Sequence, residues 1–146
     1  TTEYPVSPAY QYLAALSAYR TGDIDTSLQK MQKIVKQSLN NHEGMYLIGI
    51  LLRKKKVYES SILFLQRATR LLPNTIKYQL ALAAAYYADG KNSMAEKIIE
   101  DAFNKYSLLK IRNTLESIKK YNEIDQVYLE KVEEALAVYS EGINFL

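Results

Sequence analysis

The sequence repeats with a period of 34 residues, and this period constrains the fold more than any other feature of the chain. Two successive steps of 34 carry the turn position Gly22 to Lys56 and then to Gly90, without an insertion. The same steps align small residues on both sides of the turn, and they align large apolar residues further out. The aligned sets are Ala15, Gly49 and Ala83; Ala18, Leu52 and Tyr86; Ser27, Ser61 and Ala95; Met31, Leu65 and Ile99; and Ile34, Ala68 and Ala102. One structural unit is therefore expected three times.

Each unit is predicted to be a helix, a short turn and a second helix, because apolar residues recur with a helical period on both sides of the turn. Gly22 and Gly90 suit a left-handed residue that closes a helix end, and Pro73 ends the second unit. Ser7 before Pro8 is typical of an N-cap followed by the first helical residue. The predicted helices span residues 8–21, 24–38, 42–55, 58–72, 75–89 and 92–106. No segment alternates with the period of a strand, so no sheet is expected.

The small residues of each unit are predicted to face each other across the two helices of a hairpin. Ala15, Gly49 and Ala83 would let the first helix approach the second, which carries Ser27, Ser61 and Ala95 at the contact. Leucine at these positions would overpack the pair, at a cost of about 1–3 kcal/mol.

This pattern resembles that of the tetratricopeptide repeats, whose unit is a 34-residue helix–turn–helix. The third unit carries most of the matching residues: Leu82, Ala83, Tyr86, Gly90, Ala95 and Ala102. The second unit departs from the pattern at Lys56, and the first is looser. The resemblance covers residues 8 to 107 and implies an all-α, right-handed solenoid of three helical hairpins, with repeats at about 8–41, 42–75 and 76–107. Residues 1–146 are then expected to form a single domain.

Residues 108–146 do not continue the repeat, but they keep a helical period. Predicted helices span 108–121 and 125–141, and Asp125 could cap the second of them. Since a solenoid needs an atypical end to shield its last repeat, this segment is interpreted as a degenerate fourth hairpin or a C-terminal cap.

No constellation of residues indicates catalysis. The chain has no cysteine and one histidine, His42, which lies between two units in "NNHEG" and is interpreted as a surface-loop residue. Glycine-rich phosphate loops are absent, and the carboxylates at Glu130, Glu133 and Glu134 are typical of a solvated helix face. We therefore expect no enzymatic activity, no cofactor and no metal. No run of about 18 apolar residues indicates a membrane span.

The fold implied by the resemblance places the first helices of successive units on one concave face. The partner-binding residues predicted on that face from the 34-residue register are Tyr12, Leu16, Tyr19 and Arg20; Tyr46, Leu47, Ile50, Arg53 and Lys54; and Lys77, Leu80 and Tyr87. This surface would be apolar and aromatic at its centre and basic at one edge, which indicates a groove for an apolar or amphipathic protein segment. The alternative that the C-terminal helices or a second copy of the chain cover it stays open.

The resemblance also helps to exclude one kind of ligand. Tetratricopeptide domains that grip a carboxylate terminus use Lys and Asn at set positions of the first helices, where this chain has Tyr12, Leu16, Leu47 and Ala81; only Lys77 matches. The resemblance therefore implies a scaffold, an adaptor or a chaperone for apolar segments, as in bacterial secretion chaperones and assembly factors.

Two other functions remain as alternatives. An RNA-binding repeat protein would use Arg20 and the basic run Arg53, Lys54, Lys55 and Lys56, but the net charge of +3 is small for nucleic-acid binding. A self-assembling structural unit would form homo-oligomers. The first residue is Thr1, so a processed form or a fragment is expected, with the cytoplasm favoured over an exported or membrane-tethered parent protein.

Overall fold

Eight α-helices follow one another along residues 8–139, the part of the chain that the computed structural model describes, with side chains from Tyr12 onward. They are α1 (Pro8–Arg20), α2 (Ile24–Gln37), α3 (His42–Lys54), α4 (Tyr58–Leu71), α5 (Ile76–Ala88), α6 (Asn92–Lys105), α7 (Leu108–Lys120) and α8 (Gln126–Tyr139). These bounds confirm the all-α prediction, and no strand occurs in this range. Ser7, the predicted N-cap, and the predicted end of α8 at residue 141 lie outside the described residues.

The first six helices form three consecutive hairpins, α1–α2, α3–α4 and α5–α6, whose two helices pack against each other. The second helix of one hairpin also packs against the first helix of the next, α2 on α3 and α4 on α5. This nearest-neighbour arrangement is that of a helical-hairpin solenoid.

The turn inside each hairpin closes in the same way, and the turn between α7 and α8 repeats it. In each, a backbone N–H three residues beyond the helix bonds to a carbonyl in its last turn, as in a Schellman motif. The bonds are Asp23 N to Ala18 O, Val57 N to Leu52 O, Lys91 N to Tyr86 O and Glu123 N to Ile118 O. The residue before each donor has a positive φ: Gly22 (87°), Lys56 (65°), Gly90 (76°) and Asn122 (51°). Lys56 therefore takes the glycine conformation without being glycine.

The small residues predicted at the helix contacts are buried in all three hairpins. A Cβ atom on Gly49 would lie 2.5 Å from Leu65 Cγ, so the Leu65 side chain fills the space that a side chain at position 49 would need. The serines add a hydrogen bond across the same contact. Ser27 Oγ donates to Ala15 O at 2.8 Å, and Ser61 Oγ donates to Gly49 O at 2.6 Å.

The C-terminal segment forms a cap and not a fourth hairpin. Helix α8 packs against α5 and α6, and α7 packs against α5, whereas α7 and α8 make few backbone contacts with each other. The turn between them explains this, since it contains five residues, 121–125, where each earlier hairpin has three. The apolar stripes of both helices are buried: Ile111, Leu115 and Ile118 on α7, and Leu129, Val132 and Leu136 on α8.

Helices α3 and α5 are buried on every side along most of their length, from Gly44 to Arg53 and from Leu80 to Tyr87. A helix on the inside of an open solenoid would expose one face to water. The C-terminal segment therefore covers the concave face of this solenoid.

Candidate partner-binding face

The loop Tyr121–Asp125, here called the covering loop, crosses the concave face of the first two hairpins. Tyr19 on α1 donates a 2.8 Å hydrogen bond from its hydroxyl to the carbonyl oxygen of Asn122. Arg53 on α3 donates from Nη2 to the carbonyl oxygen of Glu123, also at 2.8 Å. Ile124, the residue after Glu123, is only 2% exposed. Backbone and side chains of this loop are thus both held by the face.

Charged side chains fix the covering loop at two further points. Lys77 Nζ lies 3.3 Å from Glu123 Oε1, and Lys54 Nζ lies 3.0 Å from Asp125 Oδ1. The Asp125 carboxylate, which the sequence suggested as a helix cap, therefore contacts α3. Arg53 is 1% exposed, and its burial lowers the pKa of its guanidinium below the ordinary value. A carbonyl bond and the nearby Asp125 carboxylate, 3.9 Å from Arg53 Nε, offset part of the cost of burying this charge.

The expectation that the whole concave face is exposed is wrong at its centre. Among the predicted partner-binding residues, the buried ones are Tyr19, Tyr46, Leu47, Ile50, Arg53, Leu80 and Tyr87. The physical reason is that α7, the covering loop and α8 bring their own apolar residues to this surface, which the alternative reading of the sequence had foreseen. Burial raises the pKa of the Tyr46 hydroxyl well above its usual range and that of Tyr87 to about 12.

The other predicted residues remain accessible and gather at the α1 end of the face. Arg20 is exposed, and Tyr12, Leu16, Lys54 and Lys77 are half-buried. The C-terminal segment adds Lys120 and Tyr121 to this opening. We call the opening between α1 and the start of the covering loop the α1 cleft.

The α1 cleft consists of two adjoining cavities that share Tyr19, Arg20 and Tyr121. The larger has a volume of about 460 Å³ and is also lined by Gly22, Ile24, Lys54, Lys120 and Asn122. The smaller, about 130 Å³, is also lined by Tyr12, Leu16, Tyr46, Leu47, Lys77, Ser117 and Glu123. The larger cavity is thus cationic and contains no carboxylate in its wall, whereas the smaller combines tyrosine and leucine side chains with the charged groups of Arg20, Lys77 and Glu123.

Cations in the larger cavity stack on tyrosine rings. Arg20 Cζ lies 4.7 Å from the ring centroid of Tyr121, and Lys120 Nζ lies 5.4 Å from the same centroid. Lys54 Nζ lies 5.8 Å from the ring of Tyr19. Such stacking holds the cations over apolar surface without neutralising them. Within residues 8–139, Arg20 and Lys120 form no ion pair, so the cleft carries uncompensated positive charge.

The basic run proposed for RNA binding is largely occupied by contacts within the chain. Arg53 is buried, Lys54 pairs with Asp125, and Lys55 pairs with Asp25. Binding to the phosphate backbone of RNA needs Lys and Arg side chains that are not already buried or paired within the protein. The structure therefore leaves little support for the RNA-binding alternative in this run.

His42 is not a loop residue but the first residue of α3, and its Nδ1 lies 2.7 Å from the Tyr78 hydroxyl. Tyr78 in turn stacks on Tyr46, with ring centroids 4.7 Å apart. His42 therefore links α3 to α5. Over residues 8–139, no three His, Asp or Glu side chains group as they would around a metal ion. No helix in the same range has the length and apolar character needed to cross a membrane.

Sequence reasoning missed the residues that the C-terminal segment contributes to the face, namely Ser117, Lys120, Tyr121, Asn122, Glu123 and Asp125. They lie outside the 34-residue period, so the register that located the other positions does not reach them. One signal was present: "KKYNEID" places a tyrosine and two acidic residues directly after a basic pair, between two predicted helices.

Comparison with known proteins identifies the fold but not the family. No protein-family model matches the chain, and no curated protein sequence matches it. Among solved structures, a chain titled MamA MSR-1 C2 superposes with a TM-score of 0.63 at 13% sequence identity, over 89% of this chain and 77% of that one. MamA contains tetratricopeptide repeats. Similarity at this level of identity concerns the backbone alone, because function lies in the site and not in the fold. The chain therefore has a tetratricopeptide-like, all-α hairpin fold.

Proposed function

We propose that this chain is a non-enzymatic protein-interaction module, a scaffold, adaptor or chaperone, that holds an acidic, amphipathic segment of a partner protein in the α1 cleft. One observation carries the proposal: Arg20, Lys54 and Lys120 surround the tyrosines of a cavity of about 460 Å³ at the uncovered end of the concave face. A cationic wall beside aromatic rings suits a ligand that combines carboxylates with apolar side chains.

The two cavities divide the recognition between charge and apolar contact. Carboxylates of the partner would pair with Arg20 and Lys120 in the larger cavity, where no carboxylate of this chain competes. An apolar side chain would enter the smaller cavity between Tyr12, Leu16 and Leu47. Tyrosine is a good anchor here, because it offers a large surface and loses little rotamer freedom on binding.

The covering loop supports this choice of partner, because it has the composition proposed for the partner segment and is itself bound to the concave face. It is an acidic–apolar–acidic segment, Glu123-Ile124-Asp125, whose carboxylates pair with Lys77 and Lys54 while Ile124 is buried. The concave face thus already holds one segment of this composition. A partner segment of similar composition would continue the same chemistry into the α1 cleft.

Capture of partners from the source cell, with matched variants, tests the proposal. The bait would be compared with Arg20→Glu/Lys120→Glu, which reverses the charge of the cleft, and with Lys30→Glu/Lys33→Glu, which reverses two exposed charges on α2. We expect a partner that the cleft variant loses and the control retains. Its binding segment, made as a peptide, should bind about tenfold more weakly to Tyr12→Ala or to Arg20→Ala than to the native chain. A partner retained equally by all variants would contradict the proposal.

Salt and concentration separate the alternatives. Acidic-peptide binding should weaken moderately with salt, whereas RNA binding to this chain would fall steeply, with a slope set by the number of phosphates contacted. A self-assembling unit would instead sediment as a larger species with rising concentration and without any partner. If steep salt dependence or self-association is observed, and Arg20→Glu/Lys120→Glu abolishes it, then RNA binding or self-assembly respectively would replace the proposed function.

A further inference from the structure

A second recess lies at the opposite end of the hairpins from the α1 cleft. It has a volume of about 400 Å³ and is lined by Leu39, Met45, Arg67, Arg70 and Leu71, which we call the leucine patch. The patch joins the loop before α3 to the last turns of α4. Leu39 is 75% exposed and Leu71 is 39% exposed. Leu72, the next residue along the chain, is 42% exposed. Single exposed leucines are ordinary, but leucines that share one recess are not.

The fold does not need Leu39 to be apolar. The turn that carries it is fixed by other groups: Ser38 N bonds to Ile34 O, Asn41 N bonds to Ser38 O, and the Asn41 side chain caps α3 by accepting from Gly44 N. The 34-residue period places Pro73 and then Ser107 at the corresponding positions of the later repeats. Leu39 is therefore a feature of this loop alone and adds little to the core.

Charge decides what could cover the patch. Arg67 and Arg70 lie one turn apart on α4, both are exposed, and the recess contains no carboxylate. Arg67 Cζ lies 5.5 Å from the ring of Phe64, and neither arginine forms an ion pair within residues 8–139. Two unpaired cations bordering an apolar recess are complementary to a segment that is apolar on one side and acidic along its edge.

We propose that the leucine patch is a second docking surface, and that it takes an amphipathic helix of a partner protein whose apolar face is flanked by Asp or Glu. Apolar side chains of that helix would fill the recess between Leu39, Met45 and Leu71, and its carboxylates would reach Arg67 and Arg70. This surface is built from the α2–α3 loop and α4, so it does not depend on the α1 cleft. A chain with both sites can hold two segments at once, at opposite ends of its hairpins.

Selection from a library of displayed helical peptides tests this proposal without knowing the partner. Peptides would be selected on the native chain and counter-selected on Leu39→Ser, a change at an exposed residue that the fold tolerates. We expect enrichment of peptides with apolar residues at helical spacing and with acidic residues beside them. Fluorescence anisotropy would then measure the affinity of a selected peptide for the native chain and for each variant, after circular dichroism has confirmed their helix content.

The variants separate the patch from general stickiness and from the cleft. Binding should weaken about tenfold in Leu39→Ser and in Arg67→Gln/Arg70→Gln. It should be unchanged in Leu109→Ser, a 67% exposed leucine on α7, and in Arg20→Gln in the α1 cleft. The proposal is overturned if no peptide is selected, if the selected peptides are basic, or if Leu39→Ser leaves their affinity unaltered. Self-association of the native chain that disappears in Leu39→Ser would also overturn it, because the occupant would then be a second copy.

Discussion

Ser61 donates a hydrogen bond of 2.6 Å from its Oγ to the carbonyl oxygen of Gly49, across the closest approach of α3 and α4. Ser27 and Ala15 repeat this relationship in the first hairpin at 2.8 Å, whereas the third hairpin has Ala95 and therefore no hydroxyl. The small residues thus have two functions: they let the helices approach, and two of them add a polar link that fixes the register of the hairpin.

Removing this link should cost a definite amount of stability. Ser61→Ala deletes a buried hydrogen bond, and we expect it to lower the free energy of unfolding by about 1 kcal/mol. Ala95→Ser should add the corresponding bond to Ala83 O, with a gain of up to about 1 kcal/mol. Urea denaturation followed by circular dichroism measures both. Equal stability of Ser61→Ala and the native chain would show that the hydroxyl contributes nothing.

Gly49→Ala should destabilise the second hairpin, because the new Cβ would lie 2.5 Å from Leu65 Cγ in a fully buried contact. We expect a net loss of about 1–3 kcal/mol from overpacking, although alanine is the better helix former. The control is the double variant Gly49→Ala/Leu65→Ala, which removes Leu65 Cγ and so relieves the collision. Its loss should be less than the sum of the two single losses. Strict additivity in chemical denaturation would argue against the collision.

Lys56→Gly should stabilise the chain, since Lys56 has a φ of 65° at the position where the other two repeats have glycine. The left-handed conformation costs a residue with a Cβ about 1–2 kcal/mol. This strain is larger than the additional conformational entropy that glycine loses on folding, so the substitution gives a small net gain. We expect a gain of up to about 1 kcal/mol in thermal and urea melts. Lys55→Gly is the matched control at an ordinary φ of −83°, and it should destabilise. The same sign for both variants would contradict the argument.

Ile124→Ala should loosen the covering loop, because Ile124 is 2% exposed in contact with the core. We expect a loss of about 2–4 kcal/mol from the cavity that the substitution leaves. Val127→Ala, at a residue that is 55% exposed, is the control and should cost less than about 0.5 kcal/mol. Hydrogen exchange would localise the effect to residues 118–128. If the two variants have equal stability, the loop does not hold the concave face closed.

Alkaline pH should unfold the chain through its tyrosines. Burial, followed by the charges of Glu43 and Glu123, raises the pKa of Tyr12 to about 12, and burial also raises the pKa values of Tyr19 and Tyr78. In the unfolded chain a tyrosine titrates at about 10. The folded state therefore holds these protons more tightly, and this contribution to stability is complete below about pH 10 and is lost as the pH rises to about 12.

Urea midpoints measured from about pH 8 to about pH 12, together with ultraviolet absorbance of tyrosinate, test this dependence. Because lysines also lose their charge in this window, Tyr12→Phe isolates the tyrosine contribution. The fall in stability with pH should be shallower in Tyr12→Phe than in the native chain. An identical slope for the two proteins would show that Tyr12 does not contribute.

The sequence by itself determined the hairpins. Helix bounds, the left-handed turn at residues 22, 56 and 90, and the small residues at the helix contact all depend on interactions within a few tens of residues, and the 34-residue period repeats each of them three times. The same period indicated one face for Tyr12, Leu16, Arg20, Lys54 and Lys77, and these residues line the α1 cleft, but their role in binding a partner stays a prediction. Local geometry and nearest-neighbour packing were sufficient for these predictions.

Only the tertiary structure decided what lies on the concave face. The contact between Tyr19 and Asn122 joins residues 103 positions apart, and Arg53 reaches Glu123 across 70. Neither pair belongs to the period, because the longer turn at residues 121–125 separates α7 from α8 and lets the C-terminal segment cross back over α1 and α3. Whether a residue of the concave face such as Tyr46 or Ile50 is exposed or buried depends on that non-repeating segment, so its burial could not follow from the pattern of the repeats.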